Sequence, residues 1–181
     1  MAQLPPVLAK PYSDHAAMAV LSRLDPSDQT EADHARGERS SHLQLFADWR
    51  AVEPARVVSL VLCAGSEAAP IPFAVLGLSN TGQAGVASAA LLARDHFKFK
   101  RHLMATCLLI RDRMPPFCVE HGIHRIEART WGGHPRASLF LRSCGFAFET
   151  DLHGYGREGR TVFRQFAWIN PNLEQDNSHV H

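Results

Sequence analysis

A helical run caught between two strand-like segments sets the topology of this chain. From about Lys98 to Met114, the residues Leu103, Cys107, Ile110 and Met114 recur at helical intervals, which marks an amphipathic helix. Upstream, Gly85 to Ala93 reads as a strand. Downstream, Ile123 to Thr130 alternates, with Ile123, Arg125, Glu127 and Arg129 on one side and His124, Ile126, Ala128 and Thr130 on the other. Two strands of one sheet joined by a helical crossover run parallel, because only a hairpin reverses direction between neighbours. The helix is expected to stop at Pro115-Pro116, since proline lacks the N–H and its ring crowds the preceding turn.

The other elements fall around this crossover. Arg56 to Cys63, Pro72 to Leu78 and Gly85 to Ala93 are apolar runs separated by Gly65, Asn80 and Gly82, spacings that predict antiparallel hairpins. Before them the chain reads as helical. Ser13 or Asp14 caps a short helix with Met18, Leu21 and Leu24 on one face, closed by Pro26. Asp28 and Glu31 have capping-box spacing, and Ser41 opens a third apolar series through Leu43, Phe46 and Trp49 before Pro54. After the crossover, His134 and Pro135 suit the N-cap and first position of a helix with Ala137, Phe140 and Leu141 on its apolar face and Gly145 at its close. Phe146 to Leu152 and Thr161 to Ile169 form a last hairpin across the glycine-rich stretch His153 to Arg160.

The expected fold is therefore α/β (α+β), a mixed and mostly antiparallel sheet flanked by helices, over residues 1–169, with 170–181 as a flexible polar tail. At 181 residues, 45% of them hydrophobic, the chain can bury one core and has no length for a second full domain. Lys plus Arg number 19 against 18 Asp plus Glu, a balance that argues against a nucleic-acid partner. Cys63, Cys107, Cys118 and Cys144 are scattered in apolar segments and read as reduced, buried thiols. Met1 to Lys10 has no long apolar segment, and no apolar run reaches the roughly 18 residues of a membrane span, so the expected location is cytoplasmic, without a membrane partner. Open sheet edges allow a homodimer.

Several residues carry a specific resemblance. His124-Arg125-Ile126-Glu127-Ala128-Arg129 is followed by His134-Pro135-Arg136-Ala137 and by Phe140-Leu141-Arg142-Ser143-Cys144-Gly145-Phe146. In this register, and over roughly residues 12 to 169, the chain resembles the GNAT superfamily of acetyl-CoA-dependent N-acetyltransferases. That resemblance implies a GNAT-like acyl-CoA N-acyltransferase fold whose sheet splays beside the crossover to admit the pantetheine arm of acetyl-CoA, used as co-substrate with no metal. It implies cofactor contacts at Leu92 and Ala93 on the strand end and at Lys98, Phe99, Lys100, Arg101 and His102 at the helix start. It also implies transfer to an amine, in a small molecule or at a protein N-terminus. A narrower similarity, to GNAT-like internal virion proteins of short-tailed bacteriophages, rests on Arg23 with Asp25, Asp28 and Glu31, on Phe73 to Gly77, and on Lys98-Phe99-Lys100-Arg101. It implies a virion location instead.

The departures from the family pattern bear on mechanism. Family members place glycines at the helix start so that backbone N–H groups wrap the diphosphate; Phe97 to His102 contains none. Lys98, Lys100 and Arg101 either replace that geometry with charge or are a solvated helix face. His134 stands where the motif has asparagine, and Leu141 where many members carry the tyrosine that protonates the leaving thiolate. The chain's tyrosines are Tyr12 and Tyr155, the latter in a hairpin turn. Candidate bases are His134, which otherwise caps a helix, and Glu127, which otherwise is a salt-bridged strand residue; Glu149 stands in the same position.

Other chemistries find less support. Cys118, His121 and His124 are spaced at threes but lack a fourth zinc ligand. Ser138 and Ser143 lack a nucleophile-elbow setting, and Gly154-Tyr155-Gly156 lies between strands rather than before a helix. Arg94 with Lys98, Lys100, Arg101 and His102 could hold a nucleic-acid phosphate, but with few interleaved aromatics. Two functional readings follow: an N-acyltransferase, or a catalytically degenerate GNAT-fold structural or interaction protein of phage or prophage origin.

Overall fold

The computed structural model describes residues 3–171. In chain order these form β1 (Leu8–Pro11), α1 (Asp14–Leu21), α2 (Pro26–Arg36), α3 (His42–Ala51), a 3-10 turn (Glu53–Ala55), β2 (Arg56–Ser66), β3 (Ala69–Asn80), β4 (Val86–Ala93), α4 (Lys100–Glu120), β5 (Arg125–Trp131), α5 (Ala137–Ser143), β6 (Ala147–Tyr155) and β7 (Thr161–Ile169). The strands make a seven-stranded sheet in the order β1-β2-β3-β4-β5-β7-β6. Its single parallel pair is β4 with β5, on either side of the α4 crossover; the other neighbours are antiparallel.

Helices cover both faces. Ala17, Val20 and Leu21 of α1 and Trp49 of α3 pack on Val61, Cys63 and Val75. On the opposite face, Phe99 and Leu103 at the start of α4 pack on Leu62, Phe73 and Ala93. Cys107, Met114 and Cys118 further along α4 join Ile126, Ala128 and Phe166. All four cysteines are free and buried. No helix among the described residues is long and apolar enough to cross a membrane.

Local chemistry explains most boundaries. The Ser13 side chain accepts from Ala16 N to open α1, and Ser41 with Gln44 forms the capping box of α3. Four expectations need correction. Pro26 does not merely end a helix: it is the first residue of α2, whose N-cap is Asp25, accepting from Ser27 N at 2.9 Å. Asp28 and Glu31 are therefore inside α2 and form no capping box. Helix α4 runs through Pro115 and Pro116 to Glu120. Buried Met114 and Cys118 on either side hold it to the core, and the carbonyls that lose a donor belong to Arg111 and Asp112, which are solvent-exposed. Finally, the expected tail begins too early: Asn170 is buried, and its N–H donates to His124 O at 2.9 Å. Residues 172–181, with His179 and His181, lie outside the described residues. Strand β1 was not expected. It is four residues long and ends in proline, a short edge strand with little pattern to read.

Candidate active site

The parallel pair is short. Val86 to Ala89 is in register with Arg125 to Ala128, but β4 continues to Ala93 and β5 to Trp131 without further pairing. Beyond Ala89 the two strands diverge. The opening is part of a cleft of about 1760 Å³ lined from both faces of the sheet, by Leu103, Cys107 and Phe140 on one and by Trp49, Arg129 and Tyr155 on the other. Arg94 N donates to Phe73 O on β3. Alternation along an antiparallel strand then turns Leu92 toward β3 and leaves the N–H and C=O of Leu91 facing the gap.

Helix α2 crosses the wide end of this gap, and three of its acidic residues grip the strands. Asp25 N donates to Ala93 O at 2.9 Å, and the Asp25 carboxylate accepts from His96 N at 2.8 Å. Asp28 Oδ2 accepts from Ala93 N at 2.7 Å. One turn further on, Glu31 Oε2 accepts from Thr130 Oγ1 at 2.6 Å and Trp131 N at 2.9 Å. So Asp28 holds the end of β4 and Glu31 the end of β5. Glu31 Oε1 has no hydrogen-bond partner among the described residues, and the side chain lines the cleft.

Two histidines complete the arrangement. The Nε2 atoms of His96 and His134 each lie 3.0 Å from Asp28 Oδ1. α5 starts two residues later than expected, with Arg136 rather than His134 as its N-cap, but His134 Nδ1 still reaches its first amides, accepting from Arg136 N at 3.2 Å and Ala137 N at 3.0 Å. A ring nitrogen that accepts from two amides carries no proton, which puts the proton of a neutral His134 on Nε2, donated to Asp28. Both nitrogens are occupied, and neither is free to take a proton from a substrate.

The same tautomer bears on metal binding. Asp28, His96 and His134 bring ligand atoms within 4.8 Å of one another. A cation would need the Nε2 lone pair of His134, which this tautomer does not offer. The geometry is that of a hydrogen-bonded ion network. Burial raises the carboxyl pKa of Asp28, but hydrogen bonds from His134 and His96, the His96 charge and the Ala93 N–H outweigh it, and the net direction is down. Burial lowers His96, but Asp28 and Asp25 outweigh it, and its pKa rises. Glu31 goes up: burial raises it more than Thr130 and Trp131 lower it.

The remaining expected residues are dispersed. Glu127 lines the cleft, but its Oε1 accepts from Arg125 Nε at 2.8 Å. Glu149 takes the other edge of the same guanidinium, and that hydrogen bond holds its pKa below the usual value. Ala93 has both backbone groups engaged by α2, as above. Phe99 turns into the core, its ring 5.3 Å from Phe73, while Phe97 is 84% exposed; neither ring lines the cleft. His102 packs against Phe73 and Phe99.

Lys98, Lys100 and Arg101 are exposed, Lys100 lines the cleft, and Arg101 donates to Gln3 O. The loop turns without glycine because Asp95 adopts φ +25° and its carboxylate accepts from Lys98 N. Among the described residues the N–H groups of Arg101 and His102 have no acceptor, as the first turn of a helix leaves them. Cys118, His121 and His124 do not converge: Cys118 is in the core, His121 stacks on Phe117, and His124 lies over Gly85. Leu141 lines the cleft with an apolar side chain, and Tyr155 lines it with its hydroxyl 3.4 Å from Arg129 Nη1.

The residues at the gap that the sequence did not single out are thus Leu91, His96 and Thr130, together with the contacts of Asp28 and Glu31. One signal was present: α2 (PSDQTEADHAR) has no large apolar residue, so a helix in that place must meet the domain through polar contacts.

No protein-family model matches the sequence, and no curated protein matches it. Solved structures do. A GNAT-family acetyltransferase from Bacillus anthracis superposes with a TM-score of 0.68 at 12% identity, covering 93% of this chain and 97% of that one. Ribosomal-protein-S5-alanine acetyltransferase from Vibrio fischeri gives 0.63 at 10%, covering 94% and 97%. Spermidine N-acetyltransferase from Vibrio cholerae, solved with CoA and spermine, gives 0.64 at 12%, covering 91% and 95%. With its splayed parallel pair, its crossover helix and these superpositions over nearly its whole described length, the chain has the fold of the GNAT acetyltransferases.

Proposed function

We propose that this protein is an N-acyltransferase that takes an acetyl group from acetyl-CoA and gives it to an amine. The observation that carries this reading is the gap between β4 and β5, where the unpaired Leu91 peptide and the half-buried Glu31 carboxylate line one cleft open to both faces of the sheet. The residues present fit the co-substrate. The open N–H groups of Arg101 and His102, with the Lys98 and Lys100 side chains, would hold the diphosphate at the start of α4, and the apolar wall of Leu103, Cys107 and Phe140 would flank the pantetheine arm.

Acetyl-CoA supplies a thioester already activated for attack by an amine. Leu91 N–H is placed to donate to the carbonyl oxygen, where negative charge develops. Glu31 takes the proton from the attacking amine at its free Oε1, the other oxygen being fixed by Thr130 and Trp131; as the C–N bond forms the C–S bond breaks, and coenzyme A leaves as a thiolate that takes its proton from solvent. Its raised pKa makes it a stronger base than an exposed carboxylate. His134 acts one step back, orienting Asp28 and capping α5, and Glu127 adds negative charge on the acceptor side.

Calorimetric titration with acetyl-CoA tests this, followed by thiol release in the presence of amines. Micromolar binding together with acceptor-dependent thiol release is the expected result. No heat and no thermal shift at millimolar acetyl-CoA would sink the reading and leave the fold as a scaffold.

A further inference from the structure

On the α3 face of the cleft a guanidinium is buried with one carboxylate, Glu53, beside its Nε. The Arg56 side chain is 4% exposed. Its guanidinium carbon lies 4.0 Å from the Trp49 ring centre on one side. Its Nη1 end lies against Gly77, where a Cβ would stand 1.3 Å from Nη1 and 2.4 Å from the guanidinium carbon. The Trp49 ring thus covers one face of the group, and the missing side chain of Gly77 leaves room for its Nη1 end. Glu53 Oε1 is 3.1 Å from Nε but off the N–H direction, and Nε is buried without a hydrogen bond. That carboxylate oxygen instead accepts from Ser59 Oγ at 2.6 Å.

Among the described residues only Glu53 stands beside Arg56 as an anion, its Nη groups have no hydrogen-bond acceptor, and the neighbouring Trp49 Nε1 is a buried donor without a partner. Burial pushes the Arg56 pKa down more than Glu53 pushes it up. Glu53 balances the charge, but buried donors that find no acceptor are costly, and a second carboxylate on the Nη edge would satisfy them.

The position is informative. Gly77 is in register with Ala90 of β4, next to Leu91, so the guanidinium lies about 5 Å, one strand spacing, from the strand that borders the gap. Arg56, Trp49, Gly77 and Ala90 line the same cleft as Glu31 and Glu127. The cleft thus offers at one end a guanidinium paired with Glu53 through Nε, whose Nη edge has no acceptor among the described residues, and carboxylates at the other. We infer that the acceptor is a small primary amine that also carries a carboxylate, the α-amino acids being the simplest, with Arg56 binding the carboxylate edge-on. This deepens the transferase reading and rests on it. It disfavours a polyamine or a protein N-terminus, which bring no carboxylate beside the amine. A planar, bidentate pairing suits arginine, and Gly77 is the residue that lets the guanidinium lie flat.

The test is acetyl-CoA-dependent thiol release with each α-amino acid beside its α-amide, and with spermidine, for the wild type, Arg56→Gln and Gly77→Ala. The second variant keeps the charge and pushes the guanidinium aside, so it serves if Arg56→Gln does not fold. The expected result is that at least one acid is preferred over its amide by about 10- to 150-fold in kcat/KM, and that both variants abolish the preference through KM while the Kd for acetyl-CoA is unchanged. An amide or spermidine used as well as every acid, or a preference that survives both variants, overturns the inference and leaves the transferase reading standing. If no amine releases thiol and acetyl-CoA does not bind, the transferase reading fails instead. Calorimetry with the amino acids alone then decides the Arg56 site: heat that the amides and Arg56→Gln lack supports it, and no heat overturns it.

Discussion

At the α2 end of the gap, backbone and side chains are tied together by short bonds between elements far apart in sequence; at the start of α4, donors stand open to solvent. Asp28 alone accepts from His96, His134 and Ala93, whereas Arg101 N and His102 N have no acceptor among the described residues. The difference separates what the fold needs from what a ligand must supply. Groups that are desolvated and mutually satisfied report on stability, and groups left open at the surface report on binding.

Four predictions strain that contrast, from the largest effect to the smallest. Asp28→Ala removes the acceptor shared by two histidines and a backbone amide, which costs about 3–5 kcal/mol. Urea unfolding and a melting temperature lower by on the order of 10 °C should show it; an unchanged midpoint would mean the network is not structural. Glu31→Gln should lower the transfer rate by about 10²- to 10⁴-fold while leaving the acetyl-CoA Kd unchanged. A rate within threefold of wild type, roughly the scatter of such measurements, would remove Glu31 as the base.

The third prediction concerns pH. Asp28 and Asp25 are lowered, so their contribution is present above the ordinary carboxylate range and is lost as pH falls through their folded values. His96 and Glu31 are raised, so theirs is full below their ordinary values and is lost as pH rises through the folded ones. Stability should peak between those limits, and the melting temperature should fall by a few degrees as pH rises above the ordinary histidine range. Most of that fall should be gone in His96→Asn; a slope equal to wild type would place the titration elsewhere. Smallest is the pair Lys100→Ala with Arg101→Ala, expected to weaken acetyl-CoA binding about tenfold in a salt-dependent way, with unfolding unaffected. A loss of stability of similar size would blur the contrast between the two ends.

The legibility of the sequence follows the same division. Periodicity revealed the crossover helix, the flanking strands and hence the parallel pair, because each buries a regular apolar stripe, as Cys107 and Met114 of α4 do. It missed the extension past Pro115-Pro116, where tertiary packing of Met114 and Cys118 outweighs local preference. Asp28 and Glu31 were visible but misread. Residues three apart share a helix face whether they cap a helix or reach across a gap, and only the fold tells which. His134 was found for the right position, but its tautomer depends on two amides and a carboxylate 106 residues away. Leu91 could not be read at all, since an unpaired peptide is a property of strand pairing and not of residue type.

Considered mechanically, the sheet is two rafts, β1 to β4 and β5 with β7 and β6, joined edge to edge by only four rungs. The lashing at the wide end is α2, eleven residues without a large apolar anchor. Anything that wedges the rafts apart pulls on the Asp28 and Glu31 carboxylates on one face and on the apolar underside of α4, which spans both rafts, on the other. The polar clasp is the part that exchange can follow, in two amides, Ala93 on one raft and Trp131 on the other.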